Sequence, residues 1–345
     1  MKVVISNFSK PIRKDMDFRD FWRRHSKPPR FERLSLFKYR ADWGFHIYAL
    51  GVYLMDKGIA DEVEFWDFSE PRSTSYHPYG VLNVTFYNTA DIKAYLERYG
   101  YPHLYIHHGG VAGQSILRYL KGKCFTVYVP ALRYGYGIER LIDRIGNFRA
   151  SCYLVDSEEY LDSRSMMYIP VVNTEKIRPR DGGKKYDFIY LAVNHGNKRH
   201  DIILNAVRGK NITGHFHPVD ASKLDLRNTQ ITTSAWNRAD VLQLLASSKI
   251  AVYAGDYTSN PAAMWECVAA GLPIVVNRNI KGGKHLVVPG VTGELASEDD
   301  FYEVMQHVLQ NRSRYRPREY FMENWDTVQM LEKYLAFFKD MGWQY

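Results

Sequence analysis

The chain has 345 residues, 46% of them hydrophobic, about twice the usual length of one domain and enough to bury two cores. Cys124, Cys152 and Cys267 lie far apart, show no metal-ligand spacing and cannot all pair, so a reducing compartment is expected. The N-terminus lacks an apolar signal core, and the longest apolar-rich run, Phe45 to Met55, is too short to span a bilayer and carries His46, which predicts a soluble cytoplasmic protein, at most peripheral at the inner face of a membrane.

The net charge of +8 is concentrated in one segment: residues 1–40 hold 12 Lys or Arg against 4 Asp or Glu, and the remainder is balanced at 34 of each. That segment interleaves Phe18, Phe21, Trp22, Phe31, Phe37 and Tyr39 with cations such as Arg23 and Arg24. Such a composition suits an anionic or amphipathic partner, whether a phospholipid surface, a lipid-diphosphate acceptor or nucleic acid; a solvated loop whose aromatics pack on the parent domain has the same composition. No sequence-reading module for nucleic acid is present, and a nucleic-acid partner is not expected.

Lys2 to Ser6 is a β-branched run of the buried-strand type, and the basic insertion, about residues 7–42, separates it from the next element. FHIYALGVYLMDKG has helical spacing and stops at Gly58; strands are then expected at Val63–Phe68, Val81–Tyr87, His103–His107, Phe125–Val129 and Cys152–Asp156, with helices through GQSILRYL and from Gly137 to Ile145. Residues 171–185, polar and charged after Pro170, read as a linker. A second alternation follows: strand Asp187–Ala192, helix His200–Val207, strand Ile212–His215, helix Arg238–Ser247, strand Lys249–Ala254, helix Pro261–Ala270 and strand Pro273–Asn277. Ser297-Glu-Asp-Asp300 offers a capping box, and Pro317 to Met341 reads as a terminal helix. Strands alternating with helices twice over predict two α/β parallel-sheet domains, 1–170 and 186–320, with residues 321–345 helical and packing back on the first domain.

The chemistry centres on DYTSNPAAMWECVAAGLPIVV, Asp256 to Val276. Asn260 is a good N-cap and Pro261 a good first helical residue directly after a buried strand. This presents free backbone N–H groups at the carboxyl edge of the sheet, where parallel α/β proteins hold phosphates and nucleotides, and Thr258 and Ser259 could hold a phosphate or sugar hydroxyls. Glu266 is a lone carboxylate among Ala, Met, Trp, Cys and Val; ribose hydroxyls would satisfy it, as would a salt bridge between domains. In Gly282-Gly283-Lys284-His285 a tight backbone lets N–H groups approach an anion and Lys284 adds charge, although a plain surface turn has the same pattern.

These motifs in this order resemble the retaining glycosyltransferase family 4 (glycosyl transferases group 1). The likeness is carried by CVAAGLPIVV and IKGGKHLVVPGVTGELA within residues 249–296, by YIPVVNTEKIRP at Tyr168–Pro179, by AVNHGNKRHDIILNAV at Ala192–Val207, and by Asp42-Trp-Gly44 at the place of the family's N-terminal glycine loop. The resemblance implies the GT-B fold, two Rossmann-like domains facing across a cleft with a C-terminal helix crossing back. It implies transfer of a hexose, with UDP-glucose as the expected donor, to a glycan or lipid-linked acceptor with retention, and with no cofactor and no metal.

The resemblance also assigns roles. Glu266 matches the family's ribose-binding Glu, while Thr258 stands where the family has its first Glu, with Asp256 a substitute nearby. Lys198 matches the Lys that neutralises the donor diphosphate; Val193 replaces the usual Arg, so Arg199 or His195 would supply the second positive charge. Pro130-Ala-Leu-Arg133 occupies the place of a His near the transferred sugar, leaving His107 or His108 as the alternative and Arg133 on the acceptor side. Asp15-x-Asp17 lies in the basic insertion, which argues against a metal-dependent fold. A GT-B sugar-nucleotide epimerase and a non-catalytic sugar-nucleotide-binding protein are the competing readings.

Overall fold

The computed structural model describes residues 1–8, 48–67, 82–85, 89–109, 114–130, 150–155, 158–172, 174–180, 182–235, 237–256 and 261–345. The chain divides into two compact units: Met1–Val155 with Glu159–Val171 and Leu331–Tyr345, and Asp156–Glu158 with Val172–Met330.

The first unit is built on a parallel sheet of β1 (Lys2–Phe8), β2 (Glu62–Asp67), β3 (Leu82–Thr85), β4 (Leu104–Gly109), β5 (Phe125–Pro130), β6 (Cys152–Val155) and β7 (Ser165–Met167) in the order β3-β2-β1-β4-β5-β6-β7. Helices α1 (Tyr48–Asp56), α2 (Thr89–Tyr99) and α3 (Gln114–Leu120) cross between strands. The central strands carry apolar runs where both sheet faces are covered: Val3, Val4, Ile5, Leu104, Tyr105 and Ile106 are all fully buried. Glu64 and Lys2 bring a pair of opposite charges into this core. Glu64 on β2 lies 2.6 Å from the Lys2 ammonium and accepts from Trp66 Nε1 at 2.7 Å and Tyr95 Oη at 2.6 Å, so its oxygens are compensated in the interior.

The second unit is a parallel sheet in the order β10-β9-β8-β11-β12-β13, formed by β8 (Tyr186–Leu191), β9 (Thr213–His217), β10 (Gln230–Thr233), β11 (Ser248–Tyr253), β12 (Ile274–Asn277) and β13 (Gly293–Ala296). Its helices are α4 (His200–Val207), α5 (Arg238–Ser247), α6 (Ala262–Ala269), α7 (Phe301–Gln310) and α8 (Pro317–Asn324), with α9 (Thr327–Asp340) running on into the first unit. In both sheets strand order reverses beside the first strand of the unit. In the second unit the switch falls between β8 and β11, the place where open α/β sheets bind ligands at the carboxyl ends of their strands.

The sequence reading needs three corrections. Pro317 to Met341 is two helices rather than one, interrupted at Trp325 and Asp326, where the Asp326 carboxylate accepts from the Val328 N–H at 3.3 Å and restarts the coil as α9. The 171–185 stretch is not a free tether: Val171, Val172, Thr174 and Ile177 are buried, and the Arg318 guanidinium donates to the carbonyls of Thr174, Ile177 and Ala269 at 2.7–3.1 Å. Pro261 is the N-cap of α6, in extended backbone with ψ 114°, and the helix proper starts at Ala262.

After Thr327 the chain joins the first unit. The Tyr334 hydroxyl accepts from the Ile169 N–H at 2.6 Å and donates to its carbonyl at 3.0 Å, the Glu332 carboxylate accepts a hydrogen bond from the Tyr53 hydroxyl and lies 3.3 Å from Lys57, and Phe338 lies 6.1 Å from Phe125. The expected helix at Gly137–Ile145 and the basic insertion beyond Phe8 lie outside the described residues.

Candidate functional site

The site in the second unit is assembled from the loops after β8, β11 and β12. After β8 the chain enters a 3-10 turn, Gly196–Lys198, capped by the His195 side chain, whose Nδ1 accepts from the Asn197 N–H at 3.4 Å. The next residue, Arg199, adopts left-handed backbone (φ 46°) and launches α4. This kink is rare for a residue with a Cβ, so the turn around it is held by other contacts. The Tyr190 hydroxyl, buried in the sheet, donates to the Lys198 carbonyl and supplies one.

Three stitches fix the β11 loop against its neighbours. Asp256 N–H donates to the Asn197 carbonyl at 3.3 Å, and the Asp256 carbonyl accepts from Lys281 N–H at 2.9 Å. The buried Asn277 at the end of β12 donates through Nδ2 to the Ala254 carbonyl at 2.9 Å. Between these, Gly255 has no room for a side chain: a Cβ there would lie 2.9 Å from the Tyr253 ring and 3.0 Å from the Asn197 carbonyl oxygen. The absence of a Cβ lets the β8 and β11 loops close on each other at the switch point.

Lys198 is oriented across this junction, its ammonium donating to the Tyr253 hydroxyl at 2.9 Å and lying 5.6 Å from the centre of that ring. Arg199 points into a carboxylate cluster, with N–O distances of 3.0 Å to Asp201, 3.4 Å to Asp256 and 3.0 Å to Glu298, and Asp201 and Glu298 raise its pKa further above the usual guanidinium range. Of the two cations beside the turn, Arg199 thus ties the loops together, and Lys198 has a neutral hydroxyl beside it. His195 is exposed and folded on its own turn, 2.7 Å from Asn197 Oδ1; Val193 is 51% exposed.

Glu266 stands in the second turn of α6, 8% exposed, on a helix whose Met264, Trp265, Cys267 and Val268 are also buried. After β12 the chain passes Gly282 and Gly283, both buried, the latter at φ 84°, into the short turn Lys284–Leu286 with Lys284 exposed at its start. His285 packs against Trp265, ring centres 5.3 Å apart, and burial pushes its pKa down to about 4, so it is a neutral packing element behind the loop.

The structure therefore gathers Lys198, His195, Glu266, Pro261, Gly283 and Lys284 on loops and a helix at one edge of one sheet. His108 belongs to the other unit, at the carboxyl end of β4, half-buried with its ring 6.2 Å from that of Tyr168. Its neighbour His107 is fully buried, 3.0 Å from Ser6 Oγ and stacked on Tyr128 at 5.4 Å, a structural role. Trp22, Arg23, Arg24, Gly44, Arg133, Thr258, Ser259 and Asn260 lie outside the described residues. The sequence reading missed Tyr253, Asn277 and Gly255. A tyrosine and an asparagine at the carboxyl ends of two otherwise apolar strands were the available signal.

Residues 174–324 match the family model described as Glycosyl transferases group 1. This segment resembles a group 1 glycosyl transferase domain. Solved structures extend the likeness over the chain. Sucrose-phosphate synthase from Thermosynechococcus elongatus aligns with a TM-score of 0.70 at 14% identity, covering 98% of this chain and 99% of its own. Anabaena HepE in complex with UDP and glucose aligns with a TM-score of 0.68 at 12% identity, covering 99% and 100%. TarM aligns with a TM-score of 0.54 at 14% identity over 68% of this chain, which spans 54% of the length of TarM. These likenesses show the fold, which is GT-B. No curated protein matches the chain. Glycosyl transfer is the general chemistry of such a domain, and the loops after β8, β11 and β12 are where the group 1 segment places its polar side chains.

Proposed function

We propose that this protein transfers a hexose from a nucleoside-diphosphate sugar to an acceptor hydroxyl with retention of anomeric configuration, in the manner of glycosyltransferase family 4. The observation that carries the reading is the placement, in a segment that matches the group 1 model, of Lys198 at the β8–β11 switch point, bonded to Tyr253 at the end of β11, and of Glu266 on the helix that follows β11. Lys198 holds the donor diphosphate, aided by backbone N–H groups near the Gly283 turn and the start of α6. Glu266 accepts from the ribose hydroxyls. The departing diphosphate takes the acceptor proton on the front face, so the protein supplies electrostatic stabilisation and orientation rather than a nucleophile, and no metal or cofactor takes part.

UDP-glucose is the proposed donor; the Anabaena neighbour is described as a complex with UDP and glucose, which supports a UDP-sugar here. The acceptor is a glycan or a lipid-linked glycan, and residues 10–40 with their aromatic and basic side chains are the proposed contact to an anionic membrane surface at the cytoplasmic face. Arg23, Arg24, Trp22 and Arg133 are assigned to that acceptor side, and His108 to the sugar.

The test is product analysis with UDP-glucose and a panel of other sugar nucleotides, with and without acceptor. Transfer that Lys198→Ala and Glu266→Ala abolish is expected. Turnover of the sugar nucleotide to an isomer without any acceptor would overturn transferase in favour of an epimerase. For the membrane contact, co-sedimentation with anionic vesicles should fall when the cations of residues 10–40 are neutralised, and indifference of both proteins to anionic lipid would sink it.

A further inference from the structure

Two basic runs take no part in the switch-point site: Lys176, Arg178, Arg180, Lys184 and Lys185 before β8, and Arg312, Arg314 and Arg316 between α7 and α8. The fold brings members of both to the amino ends of the parallel strands, the sheet edge opposite the Lys198 turn. There a cavity of about 420 Å³ is lined by Arg180, Lys184, Lys249 and Arg312, with Pro179, Leu272 and Pro273 as its apolar wall. Gly271, in left-handed backbone at φ 84°, shapes that wall: a Cβ there would lie 3.0 Å from the Pro179 ring.

The cations are held in place. Lys184 Nζ donates to the Ala246 carbonyl at 2.9 Å and Arg180 to the Lys176 carbonyl at 3.3 Å, so both head groups are held beside the cavity. Lys249 is anchored at 2.7 Å by Asp187, whose carboxylate also accepts from the N–H and hydroxyl of Thr213 at 2.8 and 3.0 Å. Arg312 is exposed at the rim. Lys249 is offset by Asp187, so the charge at the cavity rests on the Arg180 and Arg312 guanidiniums, which favour a compact oxyanion, and the proline and leucine wall suits an organic group attached to it.

We propose that this cavity is a second anion site, separate from the donor site, which takes a phosphate group carried by a soluble phosphate compound or by a phospholipid headgroup. The proposal does not rest on the transferase reading.

It is tested with tripolyphosphate as the probe, by calorimetry on the full chain. A binding event is expected that Arg312→Glu weakens about tenfold or more, that Arg180→Glu weakens likewise, that declines with added salt, and that Lys198→Ala leaves within about twofold. Arg312→Glu changes an exposed side chain and should leave the melting temperature unaltered, which separates lost binding from lost fold. Absence of the event, or loss with Lys198→Ala alone, overturns the proposal. Vesicles of phosphatidylcholine with and without phosphatidic acid then name the source. Sedimentation that requires phosphatidic acid and fails in Arg312→Glu assigns the site to a lipid headgroup; a tripolyphosphate event without such sedimentation assigns it to a soluble phosphate.

Discussion

The Lys198 ammonium donates to the Tyr253 hydroxyl at 2.9 Å, joining the turn after β8 to the end of β11 across the topological switch point. Fifty-five residues separate the two in sequence, and the bond aims the cation at the sheet edge where a diphosphate would lie. Removing the hydroxyl leaves the charge but releases its aim. Tyr253→Phe is expected to lower kcat/KM for a nucleotide sugar roughly tenfold, from the loss of a hydrogen bond of about 1 kcal/mol and of orientation. Lys198→Ala is expected to lower it roughly a hundredfold or more. Steady-state kinetics on both variants checks the ranking.

Gly255 sets the approach of the two loops. Gly255→Ala is expected to cost about 1–3 kcal/mol of stability by pushing Tyr253 and Asn197 apart, and to weaken nucleotide binding with it. Urea unfolding beside a titration with the nucleoside diphosphate reads both effects.

In the first unit the test concerns stability alone. Glu64→Ala would leave the Lys2 ammonium, 10% exposed, without its 2.6 Å partner and remove the acceptor of Trp66 and Tyr95. The expected loss is about 3–5 kcal/mol, and denaturant unfolding measures it.

Acid should weaken the second unit. Burial lowers the pKa of His200 and His217 and takes His215 and His285 down to about 4, from an unfolded value near 6.5. Each is held neutral in the fold. Above about pH 6.5 neither state binds the proton and nothing is lost. Between about 6.5 and 4 the unfolded chain takes protons that the folded chain refuses, so stability falls as pH falls. His215→Gln, which retains polar contact with Thr232 and Ser234, is expected to flatten the melting-temperature profile over that window.

The alternation of the second unit was legible because doubly covered parallel strands read as apolar runs: β8, β11 and β12 lie within a residue of where the sequence puts them. Edge elements were not. β10 (QITT) and β7 (SMM) are short and partly exposed, and β13 (GELA) is broken by its own glycine and glutamate, so no run announces them. Helix α2 was missed although Ile92, Tyr95 and Leu96 bury one helical face, because its other positions are polar. The capping box was legible and forms: Ser297 N–H donates to Asp300 at 2.6 Å and Asp300 N–H to Ser297 Oγ at 3.3 Å. Within the site, Glu266 stood out as a carboxylate among apolar neighbours, and Lys198 came from the family resemblance. The bond from Lys198 to Tyr253 and the diversion of Arg199 into three carboxylates could not be read from local pattern, since both depend on strand order.

The β8–β11 edge of the second unit is proposed to hold the nucleotide of a sugar nucleotide through Lys198 and Glu266. A panel of UDP-, GDP-, ADP- and TDP-sugars, screened by thermal shift and by hydrolysis on wild type, Lys198→Ala and Glu266→Ala, tests it most directly. The account predicts that a UDP-sugar raises the wild-type melting temperature and is turned over, and that each substitution weakens that response roughly tenfold or more. Equal stabilisation and turnover in all three proteins would contradict it.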